Sequence, residues 1–333
     1  MKKLLTLIMA LAMVFSLAAC GEKPNDDTQK EDDVQYSESF NIGFLKGPTG
    51  IGAAYLMSQA EAGNTKVNYN FTLEADASVI ASAVISGELD VAAVPTNVAA
   101  TLYNKTEGAV KIVAINTLGV LHILENGDSV KSVADLKGKT LYATGQGANP
   151  EYVLNYILRE NGIEPGEDIT IEYLQSDELQ TKMAAGEIDL CMLPVPAVTA
   201  VLAKNENVRD AIDLTEEWGK VSESQLTQGC IVARTEKFSD AELKQFLAEY
   251  SESIEYMSNE ANIDDAAALT VKYEIVAAEP IAKKAIPQSG LVCITGSENM
   301  KSALADYFQV LFDADAASIG GKLPADDIYY EAK

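Results

Sequence analysis

The sequence predicts an α/β protein with two similar lobes, and three observations lead to this prediction. A nine-residue block occurs twice, as Gly-Glu-Leu-Asp-Val-Ala-Ala-Val-Pro at 87–95 and as Gly-Glu-Ile-Asp-Leu-Cys-Met-Leu-Pro at 186–194. Each copy lies between two helix-like segments, which is typical of a helix, a glycine turn, a short buried strand and a helix with proline in its first turn. A strand, a Gly-rich loop and a helix also open both halves, at 40–62 and 139–161.

The remaining elements follow in the same order in both halves. Lys66–Leu73 alternates apolar and polar residues, which predicts a second strand, and Ile169–Leu174 takes the same place in the second half. Helices are predicted at 78–86 and 96–103 around the first copy of the block, and at 195–204 after the second. The shared order extends the similarity from nine residues to whole lobes.

The chain between and after the halves predicts how they are joined. The apolar run from Val110 to Leu124 contains no helix, which favours a strand that leaves one lobe and enters the other. Gly229–Arg234 is predicted to be a strand that returns to the first lobe. Ser239-Asp-Ala-Glu242 is a capping box that opens a helix to about Asn259. The rest is mostly helical, at 263–273, 279–285 and 300–313, with a short strand at 291–294.

Charge excludes one class of partner. Asp and Glu number 50 against 25 Lys and Arg, so the net charge is -25. This balance argues against a nucleic-acid partner, which would need clustered cations. The only arginines are Arg159, Arg209 and Arg234. Because bidentate anion clamps usually come from arginine, an anionic ligand would depend mainly on lysine or on backbone amides.

The N-terminus is predicted to be an address rather than part of the fold. Residues 1–19 have a basic start and a short apolar run, as a signal peptide does. The run ends Leu-Ala-Ala-Cys20, which resembles the bacterial lipobox and implies cleavage before Cys20 and lipid attachment to its sulfur. Residues 20–39 then form the lipidated cysteine and a polar, acidic tether. The expected location is the outer face of the bacterial cytoplasmic membrane.

Cysteine spacing indicates neither a metal site nor a redox motif. Beyond Cys20 the cysteines are Cys191, Cys230 and Cys293, which are far apart and odd in number. Each lies in an apolar, strand-like run, so we expect buried free thiols. No metal or cofactor is predicted.

Several motifs together resemble the substrate-binding lipoproteins of ABC importers. They are the lipobox, Gly47-Pro-Thr-Gly50, Ser132-Val-Ala-Asp-Leu-Lys-Gly-Lys-Thr-Leu141, the two repeated blocks and the tail Gly320-Gly-Lys-Leu-Pro-Ala-Asp-Asp-Ile-Tyr-Tyr330. The most similar group is the nitrate/sulfonate/taurine and thiamine-precursor branch of type II periplasmic binding proteins. The resemblance spans about residues 40–330, and none of the motifs specifies the ligand.

This resemblance implies a fold and a mode of action. Two α/β lobes, 40–118 plus 229–333 and 119–228, would be joined by two crossover strands with a ligand cleft between them. Ligand binding would close the lobes, and ABC permease subunits would recognise the closed form. The protein would act as a monomer. The ligand would be either a nitrate- or sulfonate-type anion or a thiamine-type pyrimidine heterocycle.

Ligand contacts in such a protein lie at strand ends that face the cleft. The matching residues of the first lobe are Gly47, Thr49, Gly50, Thr96 and Asn97; those of the second are Gly145, Gln146, Gly147, Asn149, Pro194 and Val195; those near the crossovers are Asn116, Thr117 and Gln228. Turn formation and helix capping are the alternative roles. Two further residues have open interpretations: His122 as a core residue or a ligand contact, and Trp218 as a cover over the cleft or a surface residue.

Two other classes of function remain as alternatives. A membrane-tethered sensor or adhesin could use the same fold. An enzyme on this fold is disfavoured, because the chain has one histidine, no cysteine pair and no Ser–His–Asp or HExxH pattern. The sequence therefore predicts a binding protein that is not an enzyme.

Overall fold

The structure, a computed structural model, describes Tyr36 and residues 39–331. The predicted signal peptide, the lipidation site Cys20 and nearly all of the predicted tether lie outside the described residues. Within residues 39–331 no helix has the length and apolar character needed to cross a membrane.

The first part of the described chain, residues 39–117, contains four strands and three helices in regular alternation. They are β1 (Ser39–Leu45), α1 (Pro48–Glu61), β2 (Asn68–Glu74), α2 (Ala77–Ser86), β3 (Val91–Pro95), α3 (Thr96–Lys105) and β4 (Val110–Thr117).

The middle of the chain repeats this alternation. Its elements are β5 (Leu121–Asn126), a 3₁₀ turn (Val133–Leu136), β6 (Thr140–Ala143), α4 (Asn149–Glu160), β7 (Thr170–Tyr173), α5 (Ser176–Ala185), β8 (Leu190–Pro194), α6 (Ala197–Lys204), β9 (Val208–Asp213) and α7 (Leu214–Val221).

The last third is mainly helical. It consists of β10 (Gly229–Arg234), α8 (Asp240–Ser258), α9 (Ile263–Lys272), α10 (Glu279–Ala285), β11 (Leu291–Ile294) and α11 (Ser297–Ala314), with a 3₁₀ segment at Ala316–Ile319. The predicted capping box is confirmed, because the Ser239 hydroxyl accepts from the Glu242 N–H and the Glu242 carboxylate accepts from the Ser239 N–H.

The strands form two sheets with the same topology. The six-stranded sheet has the order β2-β1-β3-β10-β4-β11, and the five-stranded sheet has the order β7-β6-β8-β5-β9. In each sheet the first three strands are parallel, and an antiparallel strand follows as the fourth. That fourth strand, β10 or β5, is the first one made after the chain arrives from the other lobe. The prediction of two similar α/β lobes joined by two crossovers is confirmed, while the exact domain boundaries remain a prediction.

The two copies of the repeated block have equivalent turns. Gly87 (φ 80°) and Gly186 (φ 72°) end α2 and α5 in the left-handed conformation, as the sequence predicts. The expected role of the prolines is wrong. Pro95 and Pro194 are the last residues of strands, because each is paired with the neighbouring antiparallel strand.

Sequence analysis missed two elements, β9 and α7. Charged Arg209 and Asp210 in the middle of β9 obscure the apolar pattern of a strand, although the strand pairs with β5 at the edge of its sheet. Asp213 then caps α7 by accepting the Thr215 and Glu216 backbone N–H groups.

Side chains from both lobes pack against each other. Trp218 is 1% exposed and lies 4.9 Å from the Tyr156 ring and 5.4 Å from the Tyr307 ring, measured between centroids. Tyr307 belongs to α11 and Trp218 to α7, so Trp218 is buried at a contact between the lobes and is not a surface residue. On the opposite side, Ala285 of α10 is buried in the apolar cluster of the second lobe.

A buried ion pair holds the second sheet to the loop after β5. The Glu125 carboxylate, 4% exposed, contacts Arg209 of β9 and accepts from the Ser129 hydroxyl and the Ser129 and Val130 N–H groups. Burial raises the pKa of Glu125, but the hydrogen bonds from Ser129 and Val130 and the Arg209 guanidinium outweigh it and lower the pKa to about 2.

Replacing Arg209 with Met should therefore destabilise the protein by about 3 kcal/mol, since a buried carboxylate loses its charged partner. The control is Arg159→Met, which breaks an exposed pair with Glu164 and should cost less than about 1 kcal/mol. Because the pKa of Glu125 is depressed, its contribution is present above its ordinary pKa of 4.5 and is lost as the pH falls towards 2. Urea unfolding from pH 3 to pH 7 measures both effects, and equal losses in the two variants would contradict the assignment.

Candidate functional site

Five helices begin where strands end at the carboxyl edges of the two sheets. They are α1, α3, α4, α5 and α6, and none has a side chain that caps its first turn. Other helices have a side-chain cap: Asp76 caps α2, which follows β2 at the same edge, and Ser239 caps α8. First-turn N–H groups without a cap can bind a ligand. The sequence-predicted residues lie at or beside these helix starts and the crossovers.

In the loop after β1 the predicted residues have structural roles. The Thr49 hydroxyl donates to the Leu45 carbonyl (3.2 Å) and accepts from the Leu45 N–H (3.1 Å), so it ties the start of α1 to the end of β1. A Cβ atom at Gly50 would lie 2.6 Å from the Leu45 carbonyl oxygen, which explains the glycine there. Gly47, at φ 144°, precedes α1 with nothing within 4 Å of its Cβ position.

Thr96 and Asn97 at the start of α3 differ in their bonding. The Thr96 hydroxyl donates to the Thr227 carbonyl at 2.8 Å, which fastens β3 to the segment that enters β10. Asn97 is 7% exposed; its Nδ2 donates to the Ser318 carbonyl at 3.5 Å, and its Oδ1 has no partner. Asn97 is therefore the one of the two with an amide oxygen left to bind a ligand.

The crossover residues show the same contrast. Asn116 Nδ2 donates to the Tyr250 hydroxyl at 3.3 Å, and Asn116 Oδ1 accepts from the Thr117 hydroxyl at 3.4 Å. Both residues are buried and satisfied. Gln228 donates its backbone N–H to the Thr117 carbonyl at 2.9 Å, but its Nε2 is buried without a partner.

In the second lobe Asn149 is the best placed of the predicted residues. It is 2% exposed, and neither its Oδ1 nor its Nδ2 has a partner. Gln146 and Gly147 are exposed. Gly145 is in the left-handed region (φ 81°), and a Cβ there would lie 2.6 Å from the Pro150 ring. This glycine thus serves the turn itself.

Pro194 and Val195, the predicted ligand contacts at the end of β8, are only partly at the surface. Pro194 is half-buried at the end of β8. Val195 is buried in the apolar cluster with Val120 and Val198, and its N–H donates to the Val120 carbonyl at 2.9 Å. Packing within the lobe accounts for Val195.

Asn97, Asn149 and Gln228 therefore share a property, a buried amide group with an unpaired atom. A chain of contacts links them across the two lobes. The Thr96 N–H donates to the Gln228 carbonyl (3.3 Å), and Asn97 bonds to Ser318 in the 3₁₀ segment that follows Asp315. Asp315 in turn accepts from the Tyr152 hydroxyl (3.2 Å), one turn after Asn149 on α4. Leaving such groups unpaired costs about 1–3 kcal/mol each, and a ligand bound between them would supply the missing partners.

Two residues near Asn149 were not predicted. Glu151 lies in the first turn of α4 and accepts the Gly147 N–H at 2.6 Å. Tyr173, at the end of β7, has a buried hydroxyl close to the Glu151 carboxylate, and its pKa is raised by burial, then by the charge of Glu151 and hydrogen bonding to it. Only the position of Glu151 just after the Gly-rich loop could have indicated it from the sequence.

His122 lies inside the second lobe at the start of β5. Its Nδ1 is 3.0 Å from Asp210 Oδ2, an ion-pair distance outside linear hydrogen-bond geometry. Burial lowers the pKa of His122, but Asp210, with Asp213 and Glu216, outweighs it and raises the pKa. The interpretation as a core histidine fits this environment.

One cysteine contacts a predicted site residue, since the Cys230 Sγ lies 3.7 Å from the Thr96 hydroxyl. Cys191 and Cys230 are buried free thiols and Cys293 is half-exposed. Cys293 lines a cavity of about 620 Å³ between α8, β11 and the start of α11, which no predicted site residue lines. Within the described residues, no group of three His, Cys, Asp or Glu side chains could hold a metal ion.

Comparison with known families gives one match. Residues 66–262, more than half of the chain, match the model of the family described as NMT1/THI5 like. Comparison with curated protein sequences gives no match.

Solved structures share the fold at low sequence identity. An ABC transporter protein from Parabacteroides distasonis has a TM-score of 0.75 at 18% identity, with 89% of this chain and 99% of that chain covered. The periplasmic aliphatic sulphonate binding protein SsuA from Escherichia coli has a TM-score of 0.72 at 18% identity, covering 90% and 94%. The periplasmic nitrate-binding protein NrtA from Synechocystis PCC 6803 has a TM-score of 0.59 at 12% identity, covering 87% and 86%. The predicted type II periplasmic-binding-protein fold is confirmed.

Replacing Asn149 with Leu should stabilise the ligand-free protein, because a buried amide without partners becomes an apolar group of similar shape. A gain of about 1 kcal/mol corresponds to a rise of roughly 2–4 °C in Tm. Asn116→Leu is the matched control and should lower Tm, since it breaks the bonds to Tyr250 and Thr117. Calorimetry of the two variants decides this, and a loss of stability in Asn149→Leu would show that Asn149 has a structural partner.

His122 should make stability depend on pH. Its raised pKa means that its contribution is fully present below the ordinary value of 6.5 and is lost as the pH rises through the folded-state value. Unfolding free energy should fall over this window in the native protein and change less in His122→Gln. As His122 is the only histidine, its imidazole NMR signal reports the pKa directly. A titration below 6.5 would contradict the ion pair with Asp210.

Proposed function

The chain belongs to the NMT1/THI5-like family, and from this membership we propose that it is an extracytoplasmic solute-binding protein of an ABC importer. It captures a small molecule between its lobes and presents it to permease subunits. The observation that carries the proposal is the set of buried amides with unpaired atoms, Asn97 and Gln228 from one lobe and its crossover and Asn149 from the other. The structurally similar proteins from transport systems support transport rather than catalysis.

The proposed mechanism follows from the placement of these amides. A ligand that bonds to both lobes stabilises only the arrangement in which the lobes are close together. The Trp218–Tyr307 contact and the Tyr152–Asp315 hydrogen bond already join the lobes beside the site. Ligand binding adds the missing partners of Asn97 and Asn149 and shifts the population towards the closed form, which the permease recognises.

The proposal also includes the location of the protein in the cell. The signal-like residues 1–19 and the lipobox support lipid attachment at Cys20, which holds the protein at the outer face of the cytoplasmic membrane. A net charge of -25 keeps such a monomer dispersed.

Ligand-induced stabilisation tests the binding function. A panel of sulfonates, nitrate, pyrimidines, vitamins and amines is added to the purified protein, and a ligand at a hundredfold excess over its Kd should add about 2.7 kcal/mol of stability. Asn97→Ala and Asn149→Ala should weaken that ligand at least tenfold. Asn161→Ala should leave the affinity unchanged, since Asn161 bonds to the Ile157 carbonyl at the far end of α4.

Uptake of the same ligand by cells with and without the gene tests the transport step. Loss of uptake on deletion supports import, whereas unchanged uptake with intact binding favours a sensor. If no small molecule stabilises the protein, the solute-binding proposal is wrong.

A further inference from the structure

We propose that the second lobe recognises an N–H donor group of the ligand, such as an amine, amide or amidine, and that Glu151 and Asn149 are the residues that select it. This inference rests on the proposed function, because it concerns the same site. It makes acceptor-only anions such as nitrate and simple sulfonates poor ligands of this protein.

The Gly-rich loop before α4 is already engaged by a carboxylate of the protein. A Gly-rich loop that leads into a helix start is a common anion site, because its N–H groups point at the ligand. Here the Gly147 N–H is already bonded to the Glu151 carboxylate at 2.6 Å. An anionic ligand at this loop would lie against that carboxylate and would be repelled by it.

Unpaired polar atoms also lie beside Glu151. Asn149 is 2% exposed with an unpaired oxygen and an unpaired nitrogen. A carboxamide with both atoms free pairs best with a group that offers a donor next to an acceptor. The Asn149 amide oxygen and the Glu151 carboxylate are both acceptors. Together they favour a ligand with N–H groups.

The three arginines bind groups outside the predicted site. Arg159 pairs with Glu164 after the end of α4, Arg209 with Glu125, and Arg234 bonds to the Val84 carbonyl and pairs with Glu236. None of the three contacts a predicted site residue. Lys46, next to Gly47, is directed at Glu274, 3.9 Å away. No guanidinium therefore clamps an oxyanion between the lobes.

The two lobes differ in the acidic residues at the starts of their helices. The first turns of α1 and α3 contain no acidic residue, and neither does that of α6 in the second lobe, while those of α4 and α5 contain Glu151, Asp177 and Glu178. Helix N-termini favour acceptor or negatively charged groups. The geometry thus orients the ligand, with its acceptor end towards lobe 1 and its N–H end towards lobe 2.

Matched pairs of small molecules test this selection in the purified protein. The pairs keep the shape and change the donor: nitrate with urea, ethanesulfonate with ethanesulfonamide, and benzoate with benzamide and benzamidinium. They are measured by calorimetry together with a panel of small metabolites sorted by net charge and by the presence of N–H groups. The expected result is at least tenfold tighter binding of the N–H member of any pair that binds, and N–H groups in every metabolite that binds.

Variants separate selection from a merely structural role. Glu151→Gln keeps an acceptor for the Gly147 N–H but removes the charge, so cationic ligands should lose at least tenfold in affinity while neutral amides change much less. Glu160→Gln, at the other end of α4, should change neither class of ligand.

The outcomes are distinguishable from those of the proposed function. Nitrate or ethanesulfonate binding as tightly as its N–H counterpart, or a best ligand without N–H groups, overturns this inference and leaves solute binding intact. An equal loss for both ligand classes in Glu151→Gln shows a structural role and also overturns it. If neither the pairs nor the metabolites bind, both proposals fail.

Discussion

The exchange of one strand between the two sheets is the constraint on which the structure depends. β10 lies between β3 and β4, and β5 lies between β8 and β9, so each sheet is completed by a strand that arrives from the other lobe. The crossover between them is tightly packed: the Leu118 N–H donates to the Gly290 carbonyl at 2.8 Å, and a Cβ at Gly119 would lie 2.0 Å from the Thr215 hydroxyl oxygen. The carboxyl edges of both sheets are thereby held at the same junction.

At that junction some polar side chains stabilise the fold, while others have unpaired atoms that can bind a ligand. Thr49, Thr96 and Asn116 satisfy their polar groups within the protein and fasten strand ends to helix starts. Asn97, Asn149 and Gln228 lie beside them with buried atoms unpaired. Unpaired buried amides lower the stability of the ligand-free protein, and proteins retain such groups where a ligand supplies the partner. The first set of residues therefore stabilises the fold, and the second set binds the ligand.

Sequence analysis predicts the frame better than the site. The repeated block and its glycines indicate two lobes, because a left-handed turn after a helix leaves a clear mark in the sequence, as at Gly87 and Gly186. β9 and α7 were missed since charged residues at a sheet edge hide the strand pattern. Thr96 and Asn97 are adjacent polar residues, yet only tertiary structure reveals that one is satisfied and the other is not. Glu151 gains its role from a contact with the loop four residues before it.

The central claim is that one ligand bonds to both lobes through buried amide atoms that are unpaired in its absence. A crystal structure of the protein with its ligand tests this most directly. The account predicts a ligand within hydrogen-bond distance of both Asn97 of the first lobe and Asn149 of the second. A ligand held by one lobe alone, or in the 620 Å³ cavity beside Cys293, would contradict it.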